Sequence, residues 1–341
     1  MQTVTLGTTG ITVNKNGFGA LPIQRIPDAD AVKLIRKAYE AGITFFDTAR
    51  FYTDSECKLG EALNGIRENV YIATKTGATN VEAFWKDLET SLHNLQTDYV
   101  DLYQFHNPAF CPKPGDGSGL YEAILQAKGE GKVRHIGITN HRLSVATEAI
   151  TSGLYETLQF PFCYLSGEKE LALVKGCAEK NMGFIAMKAL SGGLITNSQA
   201  AYAFLAQFDN VLPIWGIQKE HELDEFISYI DNPPCMTEGI KVFIEKERTQ
   251  LSGDFCRGCG YCMPCPVEIE INNCARMSLL LRRSPSALQL TKEVQEKMRK
   301  IEDCLHCGKC KSQCPYELDT PTLLAKNYED YKQVLAGKVS V

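Results

Sequence analysis

The stretch from Thr44 to His106, TFFDTARFYTDSECKLGEALNGIRENVYIATKTGATNVEAFWKDLETSLHNLQTDYVDLYQFH, contains the repeating unit that decides the fold. Three short apolar runs in it are predicted strands: Thr44–Asp47, Val70–Lys75 and Tyr99–His106. Two segments between them have the periodicity of amphipathic helices: Ser55–Asn64 and Val81–Leu95. Strands that alternate with helices of this length predict a parallel sheet.

The same alternation extends over the first 230 residues. A β-hairpin is predicted over Thr3–Asn14, followed by a strand at Gly17–Ala20 and a helix at Asp28–Glu40. Further helices and strands alternate after His106, in the order Leu120–Lys128, Arg134–Thr139, Ser144–Ser152, Thr157–Pro161, Glu170–Lys180, Gly183–Met187, Gln199–Gln207, Val211–Ile214 and His221–Ile230. Eight such units predict a closed (β/α)8 TIM barrel. The alternative is an open doubly wound sheet, which usually begins with a glycine-rich turn that is incomplete here.

Composition sets limits on the class of protein. The chain has 341 residues, 44% hydrophobic and 23% charged, with a net charge of −5, which is ordinary for a globular protein. No apolar run is long enough for a membrane span, and the mild acidity argues against nucleic-acid binding. The first residues do not resemble a signal peptide, so a cytoplasmic location is expected. Because Asp231-Asn-Pro-Pro ends the last barrel helix, the predicted domains are 1–240 and 241–341.

Four polar side chains are expected at one mouth of the barrel. Asp47, Lys75 and His106 end successive predicted strands, and Tyr52 lies in the loop after the first of them; catalytic groups of TIM barrels lie at such carboxyl ends. An ammonium near a phenol favours the phenolate, and a buried carboxylate holds the ammonium in place. The phenol can then act as a general acid towards a carbonyl oxygen. Taken singly, each residue is equally explained as a helix cap, an ion-pair partner or a satisfied polar group.

Three segments resemble the signatures of the aldo-keto reductase superfamily: Phe45–Tyr52 (FFDTARFY), Ile72–Lys75 (IATK) and Ser91–His106. The resemblance covers about residues 1–230. It implies that Asp47, Tyr52, Lys75 and His106 form a catalytic tetrad in which Tyr52 is the general acid and base. It also implies a small-molecule carbonyl or alcohol substrate and a nicotinamide cofactor, NAD(P)H, across the barrel mouth.

The same resemblance implies residues that bind this cofactor. Thr139, Asn140 and Gln159 would bind the carboxamide, and the loop from Leu190 through Gly192 and Gly193 resembles the diphosphate-binding loop. The other implied cofactor-binding residues are Met187, Lys188, Gln218 and Lys219. The chain departs from the family pattern in three places. Met187 stands where many members have an aromatic residue, Phe226 stands where an Asn or Glu usually meets adenine, and Lys219 is the only lysine or arginine near the expected 2′-phosphate. The choice between NADH and NADPH stays open.

Nine of the 14 cysteines lie within residues 256–314. Their runs are CRGCGYCMPCP, from Cys256, and CLHCGKCKSQCP, from Cys304. The second is the bacterial ferredoxin run, in which three thiolates bind one [4Fe-4S] cluster and the fourth binds the other cluster. This rule predicts two crossed ligand sets: Cys256, Cys259, Cys262 and Cys314 for cluster one, and Cys304, Cys307, Cys310 and Cys265 for cluster two. Two zinc sites are the alternative.

The 38 residues between the runs are too many for a compact ferredoxin connection. Helical periodicity at Ile271–Leu281 and Ala287–Ile301 predicts a mainly α-helical ferredoxin-type domain. The six other cysteines are predicted to be core thiols: Cys57, Cys111, Cys163, Cys177, Cys235 and Cys274. From Lys246 onward 15 basic and 12 acidic residues give a charge of 15 − 12 = +3. That excess either offsets the negative clusters or attracts an external ferredoxin or flavoprotein electron carrier.

Two functions of different class are compatible with these features. One is an oxidoreductase of aldo-keto reductase type, with electrons from a nicotinamide, from the fused clusters, or from both. Nicotinamide moves a hydride and the clusters move single electrons, so a flavin would mediate if both took part. The other is an electron-transfer or redox-sensing iron–sulfur protein whose barrel is a scaffold for a partner or ligand. A third interpretation is an iron–sulfur extension that only rigidifies the barrel.

Overall fold

The computed structural model describes residues 2–251, 255–283 and 286–341. It divides into two units. The first contains the residues up to Ala189 together with Ser198–Val242, and the second contains Leu190–Asn197 together with Phe243–Val341. The division therefore falls close to the predicted boundary, but the segment Leu190–Asn197 belongs to the second unit rather than to the first.

The first unit is a closed parallel barrel preceded by a hairpin. The hairpin strands β1 (Thr3–Thr5) and β2 (Thr12–Asn14) are antiparallel. Among the described residues, eight further strands close in the order β10-β3-β4-β5-β6-β7-β8-β9. Their bounds are β3 Gly17–Gly19, β4 Phe45–Asp47, β5 Tyr71–Thr76, β6 Val100–His106, β7 Val133–Thr139, β8 Thr157–Pro161, β9 Gly183–Met187 and β10 Val211–Gly216. The barrel prediction is confirmed, and the open sheet is wrong.

Helices follow the barrel strands as the periodicity predicts. Their bounds are α1 Asp28–Glu40, α2 Ser55–Leu63, α3 Val81–Leu95, α4 Leu120–Gly129, α5 Leu143–Ser152, α6 Glu168–Glu179, α7 Ser198–Leu205 and α8 Glu220–Asp231. Short 3-10 turns lie at Pro22–Arg25, Arg67–Asn69 and Ser191–Gly193. Helix α3 begins where predicted because the Asn80 side chain accepts a hydrogen bond from the Ala83 N–H, which satisfies an otherwise unpaired donor.

The hairpin packs on the side chains of the barrel interior. Val4, Leu6, Ile11 and Val13 share one buried cluster with strand residues such as Phe45 and Leu212. Burying apolar surface in this way stabilises the fold by roughly 25 cal/mol per Å². The polar strand ends lie outside this apolar cluster, and they form the site described below.

The second unit is helical. Helix α9 (Glu238–Gln250) begins just before this unit and continues into it. The elements that follow are α10 Ile271–Cys274, α11 Met277–Arg283, α12 Ser286–Gln289, α13 Lys292–Arg299, a 3-10 turn at Lys300–Asp303, α14 Lys309–Ser312 and α15 Thr320–Leu335. Buried apolar side chains such as Ile271, Met298 and Leu324 form its core. Among the described residues, no helix is long and apolar enough to cross a membrane.

Both long helices predicted between the cysteine runs are interrupted. The first breaks between α10 and α11, where the Asn327 amide donates to the Ala275 carbonyl at 3.1 Å and accepts from the Ser278 N–H at 2.8 Å. The second breaks before α13, where the Thr291 hydroxyl accepts from the Val294 N–H. Asn327 lies on α15, so the first break depends on a distant residue that local periodicity does not reveal.

Candidate active site and candidate iron–sulfur sites

Asp47 and Lys75 form a buried ion pair at the carboxyl ends of neighbouring strands β4 and β5. Lys75 Nζ lies 2.7 and 2.8 Å from the two Asp47 carboxylate oxygens, and it also donates to the Thr48 carbonyl at 2.5 Å. Burial raises the pKa of Asp47 and lowers the pKa of Lys75, and their mutual attraction opposes both shifts. The ammonium is thus held in one place by three acceptors.

Tyr52 and His106 lie beside this ion pair. Lys75 Nζ is 5.4 Å from the centre of the Tyr52 ring, and the Tyr52 and His106 rings meet edge to face with centres 5.9 Å apart. Burial, together with the charge of Lys75, lowers the pKa of His106 to about 3, so its imidazole is neutral near pH 7. Its Nδ1 atom is buried without a partner among the described residues. The structure therefore brings the four predicted residues together.

Phe51 is a neighbour of this site that sequence reasoning missed. Its side chain is 63% exposed, and its ring centre lies 5.6 Å from that of His106. The ring also covers Gly77, where an added Cβ would lie only 2.1 Å from it. The sequence feature that could have identified Phe51 is its position: it is an aromatic residue next to Tyr52, in the loop after a predicted strand. Phe51 supplies apolar surface directly beside His106.

The residues implied for the carboxamide lie at strand ends near the tetrad. Gln159 donates to Asp47 at 3.4 Å and accepts from Gln104 at 2.8 Å, so it contacts the ion pair directly. The Asn140 side chain donates to a loop carbonyl and accepts two backbone N–H groups, so its amide is already satisfied within the protein. The Thr139 hydroxyl donates to the Met187 sulfur at 3.7 Å, and a thioether is a weak acceptor.

The other residues implied for the cofactor have varied roles. Met187 ends β9, and Lys188 follows with a left-handed backbone at φ 54°. The backbone N–H groups of Gln218 and Lys219 both donate to the Glu222 carboxylate at 3.0 Å. Gln218 and Lys219 thus directly precede helix α8, with their backbone donors already satisfied by Glu222.

Leu190, Gly192 and Gly193 belong to the second unit. The Gly192 carbonyl accepts from Arg276 Nη1 at 2.9 Å, and an added Cβ at Gly192 would lie 3.0 Å from the same nitrogen. In the same segment the Leu194 carbonyl accepts from Arg283 at 2.8 Å. Within the second unit, arginines therefore fix this loop, and no sequence pattern indicated that.

One cavity in the second unit combines cysteines of both runs. Its lining includes Cys262, Cys265, Cys304, Cys307 and Cys310 with apolar neighbours such as Ile269, Ile271 and Leu324. Cys262 and Cys265 come from the first run, and they line this cavity with three cysteines of the second. A sulfur-lined, otherwise apolar cavity suits a [4Fe-4S] cluster, whose ligands are thiolates.

The four cysteines predicted to bind cluster one differ in exposure. Cys256 and Cys262 are buried, and Cys259 and Cys314 are half-buried. Burial raises the pKa of Cys256, a hydrogen bond from the Gly258 N–H opposes this rise, and the proximity of Cys259 and Cys314 adds to it. Cys314, the last cysteine of the second run, is thus close enough to influence the first.

The cysteines outside the runs differ in exposure. Cys111, Cys163, Cys177 and Cys274 are buried as predicted, whereas Cys57 and Cys235 are exposed. The prediction of core thiols is wrong for the exposed pair. Cys57 lies on the solvent face of the amphipathic helix α2, and Cys235 follows the two prolines that end the barrel. Burial raises the pKa of Cys111 to about 11 and that of Cys177 to about 12, which makes both unreactive thiols.

Among the described residues, no three His, Cys, Asp or Glu side chains are arranged to hold a metal ion. A zinc site needs its ligands around one ion at about 2.3 Å from each sulfur. In a [4Fe-4S] cluster each thiolate binds a different iron, so the ligands stand further apart.

Gly258, between Cys256 and Cys259, allows a test of the first run. Its φ is +63°, and an added Cβ would lie 2.8 Å from the Arg276 guanidinium. Gly260 has φ +83° but no atom within 4 Å of an added Cβ. Alanine at Gly258 or at Gly260 carries similar backbone strain, of about 1–2 kcal/mol. Only Gly258→Ala also forces the Arg276 guanidinium to move, because the new Cβ would lie too close to it.

We therefore expect Gly258→Ala to lower the iron content to about half, through loss of one cluster of the pair, while Gly260→Ala stays close to the wild type. Iron and acid-labile sulfide analysis of anaerobically purified protein provides the measurement. Equal iron in the two variants would show that the Arg276 contact does not matter for cluster one.

Two family profiles match separate parts of the chain. The aldo/keto reductase family profile matches residues 4–202, and the 4Fe-4S dicluster domain profile matches residues 255–319. The first match covers more than half of the chain, so the chain belongs to the aldo/keto reductase family. The second shows a 4Fe-4S dicluster domain at residues 255–319, which supports iron–sulfur clusters over the alternative of two zinc sites.

Curated relatives match part of the chain. The chain is 33% identical over 211 residues to L-galactose dehydrogenase of Arabidopsis thaliana, covering 56% of this chain and 66% of that protein. It is 34% identical over 150 residues to methylglyoxal reductase DkgB of Salmonella typhi, covering 42% and 53% of the two chains. The chain thus spans somewhat less than two thirds of the length of these relatives.

A solved structure supports the fold. The aldo-keto reductase from Klebsiella pneumoniae in complex with NADPH superposes with a TM-score of 0.63 at 21% identity, covering 72% of this chain and 94% of that chain. At this identity the likeness concerns the fold alone.

Proposed function

We propose that this protein is an oxidoreductase that interconverts a carbonyl compound and its alcohol, with Tyr52 transferring the proton. The observation that carries the proposal is the buried Asp47–Lys75 pair with Tyr52 and a neutral His106 beside it. Each strand end contributes one part of a proton-transfer site, and family membership supports the same interpretation.

The residues act on the carbonyl oxygen in a defined order. Tyr52 donates its hydroxyl proton to the oxygen, and Lys75 stabilises the phenolate that remains. Asp47 keeps Lys75 charged and in place, and the neutral His106 donates a hydrogen bond to the same oxygen. A nicotinamide, when bound, supplies or accepts the hydride. In alcohol oxidation Tyr52 takes the proton back.

Thr139 and Gln159 are proposed to bind the nicotinamide carboxamide, with Asn140 beside them. Thr139 fits because its hydroxyl has only a weak sulfur partner among the described residues, so a carboxamide oxygen would be a better acceptor. Gln159 fits because it contacts Asp47 and therefore lies next to the reacting groups. Membership of the aldo/keto reductase family supports this class of cofactor.

We propose α-oxygenated carbonyl compounds and their alcohols as the substrate class. The names of the relatives, L-galactose dehydrogenase and methylglyoxal reductase, share this chemistry. The test follows nicotinamide absorbance with L-galactose and methylglyoxal, using anaerobically purified protein with NADPH, NADH and their oxidised forms. Turnover with any combination of one of these substrates and one of these cofactors supports the proposal. Binding of a nicotinamide without turnover of either substrate contradicts it.

The two clusters are proposed to be held by the crossed ligand sets given above, and when present they carry single electrons. Cys307 is exposed, so electrons could enter cluster two from an external ferredoxin or flavoprotein. The same observation favours a second candidate function, that of an electron-transfer or redox-sensing protein. Reduction of the clusters by such a carrier, without carbonyl turnover, would favour this second candidate.

The low pKa of His106 gives a prediction about pH dependence. Because His106 is neutral above about pH 3, His106→Gln, which keeps a neutral donor, should lower kcat by less than about 100-fold. The pH profile of kcat should keep its shape between pH 5 and 9, a working range chosen to bracket the ordinary imidazole pKa of about 6.5. An acid limb near that pKa, present in the wild type and lost in the variant, would contradict a neutral His106.

A further inference from the structure

Glu56 is a buried carboxylate that lies outside the tetrad. It stands in the first turn of α2, and its side chain is only 1% exposed. One carboxylate oxygen accepts from the Thr74 hydroxyl at 2.7 Å. The other accepts from the Arg50 guanidinium at 2.5 Å and from the Asn94 amide at 3.4 Å. A buried charge with this many donors is held rigidly.

The partners of Glu56 surround Lys75. Thr74 directly precedes Lys75 on β5, and the Arg50 backbone N–H donates to the Lys75 carbonyl at 3.1 Å. Glu56 therefore fixes the backbone of Lys75 from two sides. Its negative charge also raises the pKa of Lys75, against the burial that lowers it.

The charged and titratable groups around Lys75 come from separate elements. Asp47 faces it from β4, Glu56 from α2, His106 from β6, and Tyr52 from the loop after β4. Burial raises the pKa of Asp47, which makes its negative charge less favourable. Asp47 alone therefore stabilises the charged form of Lys75 only in part. Two buried negative charges favour the ionised lysine more than one.

Arg50 offsets Glu56 only in part. The Arg50 side chain is 24% exposed, whereas that of Glu56 is 1% exposed. Water screens the arginine charge more than the glutamate charge. The Arg50–Glu56 pair therefore produces a net negative electrostatic potential at Lys75, which favours its charged form.

We propose that Glu56 is a positioning residue that keeps Lys75 charged and correctly placed beneath Tyr52. The inference rests on the proposed function at one point, which is that the charge of Lys75 assists proton transfer by Tyr52. It assigns a role to a residue outside the four that meet at the barrel mouth.

The test compares Glu56→Gln with Glu61→Gln, which makes the same change at an exposed position on the same helix. The ionisation of Lys75 is followed directly by NMR of lysine labelled with ¹³C at Cε, with the signal assigned from a Lys75→Met variant. We expect the Lys75 midpoint to fall by about one pH unit in Glu56→Gln, and to stay at the wild-type value in Glu61→Gln. The alkaline limb of carbonyl reduction should move down with it, while activity at low pH approaches that of the wild type.

Arg50→Gln gives an independent test in the opposite direction, which remains informative where Glu56→Gln does not fold. Removing the arginine charge should raise the Lys75 midpoint. An unchanged midpoint in Glu56→Gln or in Arg50→Gln, or a loss of activity that is the same at every pH, overturns the inference. A shifted midpoint in a protein without carbonyl turnover would instead contradict the proposed function and leave the role of Glu56 standing.

Discussion

Tyr52→Phe is expected to abolish carbonyl reduction while the barrel stays folded and the clusters stay in place. The phenylalanine ring keeps the edge-to-face contact with His106 but has no proton to give. General acid catalysis contributes about 10²–10⁴-fold, so kcat should fall by at least about 100-fold. The measurement is nicotinamide-coupled turnover under anaerobic conditions.

Tyr39→Phe is the matched control, because Tyr39 lies on α1 and takes no part in the tetrad. It should leave kcat unchanged. Nucleotide affinity, measured by fluorescence titration, should be similar in both variants, because the hydroxyl of Tyr52 acts in the chemical step. Full activity of Tyr52→Phe with every accepted substrate would remove Tyr52 from the proton-donor role.

The crossed ligation predicts an unusual pattern of iron loss. Cys265→Ser should lose cluster two although Cys265 belongs to the first run, because it lines one cavity with Cys304, Cys307 and Cys310. Iron per chain should fall from about eight to about four. Cys274→Ser, which changes a buried thiol outside both runs, should keep about eight.

Double variants separate crossed from uncrossed ligation. Cys265→Ser with Cys307→Ser should still hold about four iron atoms, because both changes affect one cluster. Cys265→Ser with Cys259→Ser should hold almost none. The reverse pattern would show that each run binds its own cluster.

The parts of the fold that repeat could be predicted from sequence. Barrel helices such as Asp28–Glu40 and Val81–Leu95 have the predicted bounds because their apolar faces, and the Asn80 cap of the second, are local. The helices after residue 238 were harder to predict from the sequence. Helices α9 and α15 were not predicted, and the break between α10 and α11 depends on Asn327 across the unit.

The candidate sites show the same contrast. Asp47, Lys75 and His106 could be predicted because strand ends converge at one barrel mouth. The support that Glu56 gives to Lys75 could not, because it depends on a hydrogen bond from Thr74 to another element. The placement of Gly192 under Arg276 in the second unit likewise depends on a contact between residues 84 positions apart.

The most direct test of the central claim is a hydride-transfer experiment. Anaerobic protein is incubated with methylglyoxal and reduced nicotinamide cofactor that carries deuterium at both C4 positions, and the alcohol product is analysed by mass spectrometry. Transfer from the nicotinamide predicts one deuterium on the former carbonyl carbon, with the hydroxyl proton coming from Tyr52 and ultimately from solvent. A reduced product without deuterium would show that the electrons arrive by another route and would contradict the account.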